Sequence, residues 1–242
     1  MRESAKRFAC VFPPIHQSLL NAPAVKKIQV QGLHHITIVG STKQVSVDFW
    51  QGMLGMPLIF EQPNLGKPEE NHLYFDPGDG RLLTVFTDES RVATGRHAPR
   101  EVGCVEHIAF NVSRATFQQI PGRLRERGVE FLERDRGFMD SIYMHDSNGL
   151  KIEFACYKFE APDGIRAVDI LVKAFQLRVE RGDHHIVGEH LADAIERLMH
   201  ERNSTAAGLF ARQRGDLPHL MAVAYPPTDE VSVAPYHEAD AR

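Results

Sequence analysis

The amino-acid sequence predicts an α+β fold built from two copies of a βαβββ module, followed by a helical extension. Three observations carry this. A strand-like segment containing a histidine occurs twice, at 33–39 around His35 and at 105–112 around His107. Each is followed by a helical stretch that ends at a glycine, Gly55 or Gly128, of the kind that caps a helix C-terminus. Each half then closes with two strands joined by a turn rich in Asp, Asn, Gly and Pro.

The elements follow in order. Residues 1–30 hold Pro13-Pro14 and Pro23, which disfavour a long helix, and lack the continuous apolar core of a secretory signal; an arm packed on the body or on a partner subunit is expected. The first module spans 31–88. Its helix carries Val45, Val47, Phe49, Trp50 and Leu54, a strand follows at 56–61, and strands 72–75 and 81–87 meet across Asp76-Pro77-Gly78-Asp79-Gly80. The second module spans 102–158. Phe117, Ile120 and Leu124 mark its helix, a strand follows at 129–133, and strands 141–144 and 150–157 meet across Asp146-Ser147-Asn148-Gly149. A unit this small leaves a sheet face to be covered, so the two modules are expected to pair within one domain, 31–158. From 159 to 242 the character changes. Ile165, Val168, Leu171, Val172 and Phe175, then Val187, Leu191, Ile195 and Leu198, recur at helical spacing around Gly182-Asp183, predicting a helical hairpin. The pattern weakens from Asn203, where an irregular tail is expected.

Composition bounds the function. The 242 residues are 43% hydrophobic and 25% charged, as in globular proteins, and the formal net charge of −4 offers no basic footprint for nucleic acid. No apolar run is long enough to span a bilayer, so a membrane partner is not expected. Cys10, Cys104 and Cys156 are odd in number and far apart, which suits a reducing compartment and a cytoplasmic location. They are assigned no chemistry, and His184-His185 and His190 read as ordinary polar residues. No phosphate-binding loop, dinucleotide fingerprint or nucleophile elbow is present.

What remains is a constellation. His35, His107 and Glu153 sit in alternating apolar runs, where burial of a polar group is costly unless something satisfies it. The two histidines occupy equivalent repeat positions and Glu153 lies on a closing strand. A divalent metal would satisfy all three, and two imidazoles with one carboxylate form the open-sited set of non-haem Fe(II) enzymes.

The segments Gly32-Leu33-His34-His35-Ile36-Thr37, Glu106-His107-Ile108-Ala109-Phe110 and Ser141 to Glu153, in this order, resemble the vicinal oxygen chelate superfamily, which includes glyoxalase I, fosfomycin-resistance proteins, bleomycin-binding proteins and type I extradiol dioxygenases. The resemblance covers 31–158. It implies that the paired modules form a curled mixed sheet around a metal site, with ligands from first and last strands: His35, His107 and Glu153. Aligning Gly80 with Gly149 puts Thr84 where glyoxalase I has a fourth, carboxylate ligand, so open coordination positions are implied. Tyr143, ten residues before Glu153, is similar to a substrate-contacting tyrosine of extradiol enzymes; Arg136, His34 and Thr37 resemble pocket residues of the hydroquinone-cleaving branch. Glu106 departs from that branch, which has a histidine there.

The resemblance therefore implies an Fe(II)-dependent dioxygenase that cleaves a catecholic or hydroquinone-type aromatic with O2, in aromatic catabolism. Tyr143, His34 and Arg136 would be catalytic, Thr37 and Tyr143 would contact substrate, and a small aromatic and O2 would be the partners. Mn, Zn or Ni would instead serve a non-redox lyase, isomerase or thiol transferase of the superfamily, and a metal-free binding module is the third alternative. The C-terminal helices would either close the pocket or join a homodimer.

Overall fold

The computed structural model describes residues 28–215, with side chains to Thr205. Most of the predicted N-terminal arm, 1–27, and the last part of the predicted tail, 216–242, lie outside the described residues. The chain divides into two compact units: the chain up to Arg96 with Ser147–Gly149, and His97–Asp146 with the chain from Leu150.

In the first unit β1 (His35–Val39) leads to α1 (Lys43–Val47), which continues as a π-helical segment, Asp48–Met53, and then to β2 (Leu58–Asn64), β3 (Lys67–Phe75) and β4 (Leu82–Thr87). Sheet order is β1-β4-β3-β2, with β1 parallel to β4 and the other pairs antiparallel. The Thr42 hydroxyl caps α1 by accepting from the Val45 N–H. The π segment was not expected. Its N–H groups reach one residue further back, Leu54 N to Phe49 O at 3.0 Å, around Gly52, a poor helix former. Phe49 and Trp50 of this turn are buried, as are Leu73, Phe75, Leu83 and Val85 of the sheet. A strand buries alternate residues, so Leu73 and Phe75 face this core while His72 and Tyr74 face away from it.

The second unit repeats the topology. β5 (Ile108–Asn111), α2 (Arg114–Glu126), β6 (Leu132–Asp135), β7 (Met139–His145) and β8 (Lys151–Tyr157) form a sheet of order β5-β8-β7-β6, again with one parallel pair. The apolar face of α2 (Phe117, Ile120, Leu124) is buried, as are Ile142, Met144 and Ile152. Gly55 and Gly128 both adopt the left-handed conformation (φ +74° and +67°), which confirms the helix ends read from sequence.

The helical hairpin exists as α3 (Ala167–Arg181) and α4 (Gly188–Gly215), but two expectations fail. The buried face of α3 is Ile170, Ala174 and Leu177, packed on Leu191 and Ala194. Val168, Val172 and Phe175, which the spacing placed inward, are about half exposed. Apolar residues cover most of α3, so periodicity alone could not choose the face; the small Ala174 and Ala194 allow the close approach that decides it. α4 also runs past Arg202, where the apolar pattern ends. Ala206, Ala207 and Ala211 favour helix without an apolar stripe. His190 is 1% exposed rather than solvated: Nδ1 accepts from Val187 N at 3.1 Å and Nε2 lies 2.9 Å from Asp183 Oδ2, tying the inter-helix turn to α4. Among the described residues, no helix is long and apolar enough to cross a membrane.

Candidate functional site

The second unit assembles most of the residues singled out in the sequence. Antiparallel pairing of β7 with β8 sets Tyr143 opposite Glu153, and parallel pairing of β5 with β8 sets Ala109 beside Glu153. His107, immediately before β5, brings Nε2 to 2.7 Å from Glu153 Oε2. The burial expected of all three polar groups holds only for Glu153, which is 2% exposed. His107 is half-buried and His35 exposed, because both stand at strand entries rather than strand centres. Glu153 Oε1 is buried with no hydrogen-bond partner among the described residues. A buried carboxylate with a vacant acceptor, one of whose oxygens meets an imidazole nitrogen, fits a cation-binding pair.

Around this pair stand residues that sequence reasoning did not assign. Glu106 contacts His107 Nδ1 through Oε2 and Lys151 Nζ through Oε1, and Arg100 Nε lies 3.5 Å away. The Lys151 ammonium, then His107, hold the Glu106 carboxyl at a pKa of about 2. The signal was available: Glu106 adjoins His107 in sequence, and Lys151 shares the face of Glu153 by strand alternation. The Tyr143 hydroxyl accepts from Arg136 Nε (3.3 Å) and Nη2 (3.1 Å), and the Tyr143 ring meets His107 edge-on at 5.7 Å. Arg136, Tyr143, Lys151 and His107 line a cavity of about 340 Å³. At its rim His97 stacks on His145 at 3.7 Å; burial first, then His97, pushes the His145 pKa below its usual value. Nothing in the sequence marked His97, which lies in the linker between the modules.

The first unit holds the remaining candidates. His35 opens β1, and its Nδ1 lies 2.7 Å from His34 Nδ1. Thr84 is fully buried and pairs in register with Thr37 and with Tyr74, so it occupies the place that Glu153 takes opposite Tyr143. Its hydroxyl donates to Thr37 Oγ1 at 2.8 Å. The fourth-ligand position is therefore a satisfied hydroxyl pair, and the Thr37 oxygen is engaged with it. Tyr74 hydrogen-bonds His72 Nδ1 at 2.8 Å, and burial, then His35, lowers the His72 pKa. Among the described residues, no three His, Cys, Asp or Glu side chains stand together as a ready ligand set; the second unit supplies the pair His107 and Glu153.

Comparison with known proteins agrees with this topology. The family model described as Glyoxalase/Bleomycin resistance protein/Dioxygenase superfamily matches residues 32–168, more than half of the chain. The ring-cleaving-dioxygenase-like protein MhqO of Bacillus subtilis (strain 168) is 24% identical over 204 residues, which are 80% of this chain and 62% of MhqO. Thus the chain spans under two thirds of the length of that relative. The glutathione transferase FosA of Serratia marcescens is 30% identical over 124 residues, 51% of this chain and 79% of FosA. A FosX variant from Listeria monocytogenes, solved with Mn(II) and 1S,2S-dihydroxypropylphosphonic acid, has 21% identity and a TM-score of 0.40 over 52% of this chain and 92% of FosX. The repeated βαβββ topology and the matched residues lead to one conclusion: the chain belongs to the glyoxalase/bleomycin resistance protein/dioxygenase superfamily.

Proposed function

We propose that the chain is an Fe(II)-dependent dioxygenase that opens a catecholic or hydroquinone-type ring. The observation that supports this most is the pairing of Tyr143 with Glu153 across β7 and β8, with Arg136 bound to the tyrosine hydroxyl. His107 and Glu153 would hold the ion; His35 joins them in this reading as the repeat equivalent of His107. Bound Fe(II) would supply positive charge that acidifies a chelating phenol, and a route for electrons from ring to O2. The Tyr143 oxygen accepts from Arg136, so its own proton is left to donate to a substrate oxygen. The Arg136 guanidinium stabilises negative charge that develops there. His34 would move a proton and Thr37 contact the ring. Overall, the ring carbon–carbon bond breaks, both atoms of O2 enter the product, and the aromatic diol is the reductant.

A second reading, a non-redox metal-dependent thiol transferase, draws on the 30% identity to FosA. Lys151, Arg134 and Arg136 on the cavity wall would suit an anionic substrate. The deciding experiment is anaerobic loading with Fe(II), then oxygen uptake and product mass across a panel of catechols and hydroquinones. Stoichiometric iron without uptake on any diol overturns the dioxygenase. Oxygen-independent consumption of glutathione with an electrophilic phosphonate would establish the second reading.

A further inference from the structure

We infer that Glu106 is the positioning residue of the metal centre: by accepting a hydrogen bond from His107 Nδ1, it fixes the imidazole tautomer whose Nε2 lone pair faces a cation alongside Glu153. This rests on the proposed metal-dependent reading. A neutral imidazole carries its proton on one nitrogen only, and the partner of the other nitrogen decides which. Here the Nδ1 partner is a carboxylate, an acceptor that cannot donate, so Nδ1 must bear hydrogen. Nε2 is then the nitrogen left to bind a cation, and it lies 2.7 Å from Glu153 Oε2, also a carboxylate oxygen, so without a cation a proton occupies that gap. Two facing acceptors, a lone pair and a carboxylate, repel each other until a cation or proton lies between them. Lys151 holds the second Glu106 oxygen and so keeps the carboxylate in place against His107. The motif recurs in the first unit, where the residue preceding the repeat-equivalent histidine, His34, again meets Nδ1 of its neighbour. Carboxylates that orient metal-bound histidines typically change metal affinity by about 10- to 100-fold.

The test uses the full chain, with Glu106→Ala and Glu106→Gln, and Co(II) alone as the probe. Wild-type protein binds one Co(II). Glu106→Ala weakens that binding by about 10- to 100-fold, and Glu106→Gln, whose amide oxygen still accepts from Nδ1–H, recovers most of it. Long-range 1H–15N NMR of the metal-free proteins reports the His107 tautomer: Nδ1–H in the wild type and in Glu106→Gln, mixed in Glu106→Ala. If Glu106→Ala does not fold, Glu106→Gln against the wild type, read by both measurements, decides alone, and a shift of its tautomer to Nε2–H overturns the inference. Co(II) affinity in Glu106→Ala within about threefold of wild type, or an unchanged tautomer, overturns the inference and leaves the functional reading standing. Absence of Co(II) uptake by the wild type overturns both.

Discussion

Replacing Glu153 by Leu should stabilise the metal-free protein while abolishing its response to metal. Glu153 is 2% exposed, and its Oε1 has no partner among the described residues. An unsatisfied buried acceptor costs about 1–3 kcal/mol, and Leu removes it. Against this stands the lost contact between Oε2 and His107 Nε2. The His107 side chain is 33% exposed, so water can replace that partner, and the loss is held to about 0.5–1.5 kcal/mol. The net expectation is a gain of about 1 kcal/mol, or roughly 2–4 °C in Tm for a protein of this size. With a divalent ion at a hundred times its Kd, wild-type protein should gain about 2.7 kcal/mol and the variant nothing, so their order reverses. Thermal unfolding in chelator and in Mn(II) measures both. A Glu153→Leu protein that melts below wild type in chelator makes the carboxylate a net structural element. One that is still stabilised by Mn(II) removes Glu153 from the ligand set.

Tyr143→Phe should leave metal uptake unchanged and lower kcat by about 100-fold or more, because only the hydroxyl held by Arg136 is removed; steady-state kinetics with metal analysis checks it. His72 and His145 both have folded pKa values below the ordinary 6.5, through burial in each case. The unfolded chain therefore takes up protons first as pH falls, so stability is full above about 6.5 and declines below it. Urea denaturation at about pH 7.5 and 5.5 should show this decline, and His145→Gln should make it shallower; an unchanged slope refutes the assignment. Leu177→Ala, at a site 1% exposed between α3 and α4, should cost about 2–5 kcal/mol, read as a shift in the urea midpoint.

The parts of the fold that were legible in the sequence are those set by local chemistry. Gly55 and Gly128 mark helix ends because left-handed backbone is costly for other residues, and the two Asp-containing turns place their hairpins. Positions that depend on a distant partner were not legible. The face of α3 packs on Leu191 and Ala194, and the π segment Asp48–Met53 has no local signature in the apolar pattern. At the site, Tyr143 and Arg136, singled out through the resemblance, and His107 and Glu153 stand together in the second unit. The grip of Glu106 and Lys151 on His107 went unassigned, because adjacency in sequence does not say which ring nitrogen a neighbour will meet.

The register gives the two halves of the duplicated fold chemically different corners. Thr84 and Glu153 hold equivalent places, each buried and each facing a tyrosine across the sheet. In the first unit the buried group is a neutral hydroxyl, and Thr37 satisfies it at 2.8 Å. Tyr74 turns to His72 Nδ1, whose ring leaves Nε2 buried without a partner among the described residues. In the second unit the buried group is a carboxylate with a vacant oxygen, and Tyr143 is held by an arginine that leaves its proton unspent. Unsatisfied donors and acceptors lower stability and persist where binding uses them. The same backbone thus supports a Thr84 corner that is closed on itself and a Glu153 corner that is left incomplete, and the vacant oxygen of Glu153 is the one with bonding capacity to offer a metal.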